Sequence, residues 1–183
     1  MKITILNGDT NQDNTDFSDY LNRLENQLKK DNEVVKFDLK SMNLKYCNGC
    51  WDCWWKTPGL CSIKDDGGKV LRAIINSDFI IFASPLVAGF TSAELKKITD
   101  RLVSLVHPYI IIKDGEFHHR KRYDVYPDFG VIVLPEKDTD EADLNILSDI
   151  YDRLALNLHG RKKYLKLAEK SKIEEIVNET CNN

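Results

Sequence analysis

The chain has 183 residues, 42% hydrophobic and 30% charged, with a formal net charge of -3 at pH 7. That length supplies one complete core and is short for two, so residues 1–183 are expected to form a single domain. No long basic run recommends nucleic acid, no apolar run approaches the ~20 residues of a bilayer span, and no basic-plus-apolar leader opens the sequence. The expected setting is the cytoplasm, away from any membrane.

Lys2-Ile3-Thr4-Ile5-Leu6, ending in Asn7-Gly8, reads as a buried strand meeting a loop. Phe17, Tyr20, Leu21, Leu24 and Leu28 follow at three- and four-residue steps, with Asn14 or Thr15 placed to cap the helix they predict. Glu33 to Leu39 alternates Val35, Phe37 and Leu39 with mostly polar neighbours, as an edge strand would. Val70, Leu71, Ile74 and Ile75 suggest a short helix. Asp78 to Ser84 is apolar between its polar ends, which fits a strand buried on both faces, with Pro85 ending it. After a loop through Gly89, Thr91-Ser92-Ala93-Glu94 reads as a capping box ahead of Leu95, Ile98, Leu102 and Leu105. His118-His119-Arg120-Lys121-Arg122 reads as a solvated loop. Phe129 to Leu134 is a further central strand, stopped by Pro135, and Leu144, Leu147, Ile150, Leu154 and Leu158 mark the next helix. Lys163 to Leu167 gives a last strand and Ile173 to Val177 a short closing helix. Five strands, each followed by a helix, predict an α/β fold with a parallel sheet covered on both faces.

Ligands of such sheets bind beyond the carboxyl ends of the strands, where strand order reverses. Three loops qualify. Gly8 to Thr15 ends at a helix N-terminus, which suits a phosphate; its other reading is an ordinary Asn/Asp-rich turn, and Asp9 and Asp13 oppose an anion. Ser84 to Thr91 is small and apolar, open to a flat ring, and Leu134-Pro135-Glu136 is the third.

Cys47, Cys50, Cys53 and Cys61 crowd into fifteen residues, while Cys181 stands apart in a polar tail. The C-x2-C-x2-C spacing, with Pro58-Gly59 folding the chain back to Cys61, is close to a cubane iron-sulfur ligand set. Free thiols, zinc and disulfides are the other readings, because zinc sites also use C-x2-C. Trp51, Trp54 and Trp55 are too many indoles to leave in water; they pack the loop against its own domain, a second subunit or a cofactor. Lys64-Asp65-Asp66 reads as a helix cap, and His107 and His159 have no evident partner.

Together these segments resemble the flavodoxin-like NAD(P)H-dependent FMN reductases, a group that includes the iron-sulfur flavoproteins. The resemblance covers most of the chain. It rests on Asn7-Gly8 through Asn14-Thr15, the four-cysteine segment, Lys64-Asp65-Asp66, Ser84-Pro85, and Ser92-Ala93-Glu94-Leu95-Lys96 with Asp100-Arg101. It implies a flavodoxin-like doubly wound five-stranded parallel sheet with helices on both faces, and an FMN oxidoreductase. The electrons would come from NAD(P)H or a reduced carrier and pass to a small-molecule or electron-carrier acceptor. The alternatives are an iron-sulfur electron carrier and a flavodoxin-like binding module that has lost FMN. By the same resemblance Thr10, Asn14 and Thr15 would meet the FMN phosphate. Ser84, Pro85, Leu86, Val87, Ala88 and Gly89, with Leu134, Pro135 and Glu136, would border its ring. Cys47, Cys50, Cys53 and Cys61 would be the metal ligands, holding a four-iron cluster where one is present, and the assembly would be a homodimer or homotetramer. No general acid or base is expected in the protein, since hydride transfer belongs to the cofactors. Two positions depart from the family pattern: Gly8-Asp9-Thr10-Asn11 stands where Gly-Ser-Pro-Arg is common, and Val87 where an aromatic is common.

Overall fold

A computed structural model describes residues 1–10, 15–113, 115–168 and 170–182, with the backbone alone at Thr15. Its strands are β1 (Lys2–Asn7), β2 (Glu33–Asp38), β3 (Phe79–Val87), β4 (Phe90–Thr91), β5 (Val106–Lys113), β6 (Glu116–Lys121), β7 (Asp128–Leu134) and β8 (Lys162–Leu167). Its helices are α1 (Thr15–Leu28), α2 (Asp52–Trp55), α3 (Gly67–Ile75), α4 (Ala93–Arg101), α5 (Glu141–Leu158) and α6 (Ile173–Cys181). The order β2-β1-β3-β7-β8, parallel throughout, is the flavodoxin-like arrangement, and strand order reverses between β1 and β3.

Alternation along the central strands divides the core into two layers. Ile3, Ile5, Phe79, Ile81 and Ile132 meet Phe17, Leu21 and Leu24 of α1 and Ile176 of α6. Leu6, Ile80, Phe82, Val131 and Val133 meet Val70 of α3, Ile98 of α4 and Leu147 of α5 on the opposite face. Each fully buried side chain of this size contributes roughly 1.5–3 kcal/mol, so burial on two faces explains why the middles of β3 and β7 are apolar at consecutive positions. Strand β2 lies at the edge and keeps its exposed-and-covered alternation. Among the described residues no helix is long and apolar enough to cross a membrane.

Four expectations need correction. Pro85 does not end β3, which continues to Val87 and turns back antiparallel into β4. A proline survives there because the parallel pairing with β7 ends beside it, Pro85 opposite Leu134. The turn residues Ala88 and Gly89 both have positive φ (51° and 74°), the requirement of a two-residue hairpin whose twist matches its strands. His118 to Lys121 of the expected solvated loop belong instead to β6, paired with β5 in a separate hairpin. His118 points inward, 2% exposed, and defeats a reading based on charge alone. At α4 the cap is Ser92, whose Oγ accepts from the Leu95 amide, while Glu94 pairs with Lys97. The capping box forms instead at α5, between Asp140 and Asp143. His159, without a partner in sequence, closes α5 with left-handed backbone and sets Nε2 2.7 Å from the His119 carbonyl.

Gly130 of β7 carries a packing requirement invisible in the strand pattern. A Cβ there would lie 2.1 Å from the ring of Tyr164, which is buried and holds Thr180 at 2.9 Å through its hydroxyl. Gly130→Ala is therefore expected to cost about 1–3 kcal/mol, read as a lower urea midpoint with unchanged slope; an unchanged midpoint would mean that Tyr164 yields freely.

Candidate functional site

Two sites lie on the same side of the sheet's chemistry: the loops after β1, β3 and β7, and the cysteine segment after β2. At the first, the Gly8 amide donates to the Ala83 carbonyl (2.8 Å) and the Gly8 carbonyl accepts from Ser92 Oγ (2.5 Å). A Cβ on Gly8 would fall 2.8 Å from that hydroxyl and 2.9 Å from Leu95, so only glycine lets the loop approach α4 this closely. Asp9 is buried and donates its amide to Asn7 Oδ1, and Asn7 in turn donates to Asp38. Thr10 is exposed, and its carbonyl accepts from Lys40 Nζ, which brings a cation to a loop that lacks one in sequence. Asn14 and the side chain of Thr15 lie outside the described residues.

The second and third loops are joined. The Gly89 amide donates to Glu136 Oε2 at 3.2 Å, and the Glu136 amide donates to Thr139 Oγ1 at 2.8 Å. Val87 is exposed at the hairpin tip, Pro85 is half-buried and Leu86 faces the core. Ser84 is fully buried; its hydroxyl donates to the Pro85 carbonyl and accepts from the Ser92 amide, so it shapes the hairpin from within.

In the second site Cys47, Cys50, Cys53 and Cys61 line one cavity of about 420 Å³ together with Trp54 and Arg101. Left-handed backbone at Gly49 and Trp51 turns the chain into α2, which carries Cys53 and Trp54. Gly59 brings it back, its amide on the Cys53 carbonyl at 3.0 Å. The Trp54 indole N–H lies 3.1 Å from the carbonyls of both Val103 and Val106, and its ring packs on His119. Trp51 stacks edge-on against it, and Trp51 and Trp55 remain 57% and 67% exposed. Burial first, then the neighbouring sulfurs of Cys61, Cys47 and Cys50, push the Cys53 thiol up. Among the described residues no three His, Cys, Asp or Glu side chains already converge at single-ion spacing. Zinc would need all four sulfurs about 2.3 Å from one centre, whereas a cubane spreads its ligands around a larger body. Four sulfur donors lining one cavity fit the ligand set of a cubane.

Asp65 does more than the cap expected of it. Its Oδ1 does accept from the Gly67 amide, but the carboxylate chiefly grips Arg101 through two hydrogen bonds of 2.7 and 2.9 Å, with both side chains shielded from solvent. It also accepts from the Lys45 amide at 2.8 Å, and Asp66 accepts from the Asn43 amide, closing the base of the cysteine segment. Arg101 was legible as an anomaly: it stands three residues after Ile98 on the apolar side of α4, where a charge requires a buried partner.

The profile of the NADPH-dependent FMN reductase family matches residues 1–121. The chain belongs to that family. An iron-sulfur flavoprotein of Archaeoglobus fulgidus is 34% identical over 102 residues, covering 55% of this chain and 48% of the relative. Another from Methanocaldococcus jannaschii is 40% identical over 69 residues, covering 38% and 35%. The chain thus spans about half the length or less of the curated relatives it matches. A Klebsiella pneumoniae protein proposed to be a quinone reductase has the same fold, with a TM-score of 0.69 at 14% identity over 98% of this chain and 82% of that one. As a member of the FMN reductase family, the chain carries its distinctive segment between β2 and α3, where Asp65 and Arg101 hold it.

Burial works to raise the Asp65 pKa, but hydrogen bonds from Arg101 and from the Lys45 and Gly67 amides outweigh it and hold the carboxyl below its ordinary 3.8. A depressed folded-state pKa stabilises the fold above the unfolded value and loses that contribution as pH falls through the folded one. Asp65→Asn should therefore cost about 3–5 kcal/mol near neutral pH, shrinking toward zero in acid as the wild-type carboxylate protonates. Urea unfolding between pH 7 and pH 2 checks this; a penalty independent of pH would contradict it.

Proposed function

We propose that the protein is an FMN-dependent oxidoreductase that takes electrons from NADPH or NADH and passes them to a small-molecule or electron-carrier acceptor. Family membership supports this, and the observation that carries it is the meeting of the loops after β1, β3 and β7 at the reversal of strand order. The residues present fit FMN. Thr10, Asn14 and Thr15 would surround its phosphate, Lys40 would supply the countercharge, and Pro85 to Gly89 with Leu134 to Glu136 would border its ring. When bound, FMN supplies the hydride and single-electron chemistry, while the protein orients it. No protein acid or base is assigned, and the chain is read as one cytoplasmic domain.

The cysteine cavity supports a finer reading, in which Cys47, Cys50, Cys53 and Cys61 hold a four-iron cluster that exchanges single electrons. Around that cavity Tyr46, Trp51, Trp55 and Leu60 are exposed, a concentration of apolar surface that suits contact with a second copy in a dimer or tetramer.

Anaerobic purification tests all three statements on one sample. Heat-denatured protein should release FMN, the native protein should contain about four irons per chain, and its mass in solution should exceed that of one 21.1 kDa chain. A folded protein that neither releases FMN nor gains thermal stability on its addition would sink the flavin reading. Stoichiometric zinc, or four freely titrating thiols without metal, would sink the cluster.

A further inference from the structure

The cysteine cavity contains one strong fixed charge whose role the fold alone does not use up. Arg101 is 1% exposed, lines the cavity, and has a buried Nε without a hydrogen-bond partner. Its two terminal nitrogens are held by Asp65, and one also approaches the Lys45 carbonyl at 3.4 Å. The group lies flat over Gly67, where a Cβ would fall 2.3 Å from Nη1 and 2.4 Å from Cζ, so the glycine leaves the space the guanidinium occupies. Asp100, also on the cavity wall, is paired with Lys96.

We propose that Arg101 is a positioning residue that sets the reduction potential of the cysteine-held group from the wall of the cavity. The inference rests on the cluster reading above. Reduction of such a group by one electron adds one negative charge and no proton, and a fixed cation beside it stabilises the reduced form. The geometry is directional: Arg101 forms part of the cavity wall, while Asp65 grips it with its side chain fully shielded. A cation in the wall that Cys47, Cys50, Cys53 and Cys61 also line favours negative charge arriving on a group they hold. A clamp that only closed the loop would do so equally well for either oxidation state.

The two partners make opposite predictions. In anaerobically purified, iron-loaded protein, Asp65→Asn leaves Arg101 without its countercharge and should raise the cluster's potential. The double variant Asp65→Asn with Arg101→Gln strands no buried charge and should lower it. An expected size is a tenfold change in the reduced-to-oxidised ratio at fixed potential, about 59 mV for one electron. Arg101→Lys, which keeps the cation, should restore a potential near that of the wild type. The readouts are iron per chain, thermal midpoint, and a redox titration followed by electron paramagnetic resonance of the reduced cluster, so that flavin does not interfere. Asp65→Asn or the double variant, folded and iron-loaded, decides the matter by the sign of its shift. Unchanged potentials at unchanged iron content would overturn the inference and leave the cluster in place. A wild-type protein without iron would overturn the cluster reading and this inference together.

Discussion

Arg101 reaches Asp65 with two N–H donors, both side chains shielded from solvent, and removing either partner would strand a charge at a cost of several kcal/mol. Much of the molecule is arranged around that contact. Arg101 stands at the last turn of α4, a helix whose apolar side is pressed onto the sheet by Leu95 and Ile98. Asp65 stands at the end of the cysteine segment, just ahead of α3, and also takes the Lys45 amide from its beginning. The pair therefore closes a loop of some twenty residues at its neck and fixes it to the sheet layer. A flexible loop of that length carries an appreciable closure entropy, and one strong buried contact at its base is an economical place to offset it.

The loops after β1, β3 and β7 are organised by the opposite device, close backbone approach without charge. Gly8 touches both β3 and α4, Ser92 ties its carbonyl, and Ser84 ties Ser92. The β3–β4 hairpin then leans its turn onto Glu136 from the loop after β7. Three segments distant in sequence become one rim because the strands before them, β1, β3 and β7, are sheet neighbours. Helix α4 is common to both regions: its first turn contacts the Gly8 loop and its last residue enters the cysteine cavity. A rigid element shared in this way would hold the distance between a flavin and a cysteine-held group constant.

The sheet was legible because burial leaves its mark in composition. Phe79 to Ala83 and Phe129 to Val133 carry no polar side chain, and Phe17 to Leu28 repeats at helical spacing, so strands and helices could be read from local pattern. What escaped depends on partners far away in the chain. His118 looks solvated beside His119 and Arg120, and only the fold packs it against Asn157 of α5. Asp65 looks like a helix cap until α4 supplies Arg101, thirty-six residues on. Lys40 gives no sign in sequence that it meets the Thr10 carbonyl. Proline was misjudged for a different reason: Pro85 lacks a donor, but at the end of a ladder none is missed. The cysteine spacing picks out four residues that line one cavity without ordering the readings, since sulfurs at C-x2-C serve clusters, zinc and free thiols alike; that they share a cavity is a tertiary property.

If Asp65 and Arg101 fasten the cysteine segment as a unit onto an independently stable sheet, local opening should separate the two. Amide hydrogen exchange in the wild type and in Asp65→Ala measures this directly. The amides of Lys45, Gly67 and Gly59 should exchange much faster in the variant, because the first two lose their acceptor and the third belongs to the released loop, while Ile5 and Ile81 of the central strands keep their protection. Equal acceleration across loop and sheet, or none in the loop, would contradict the account.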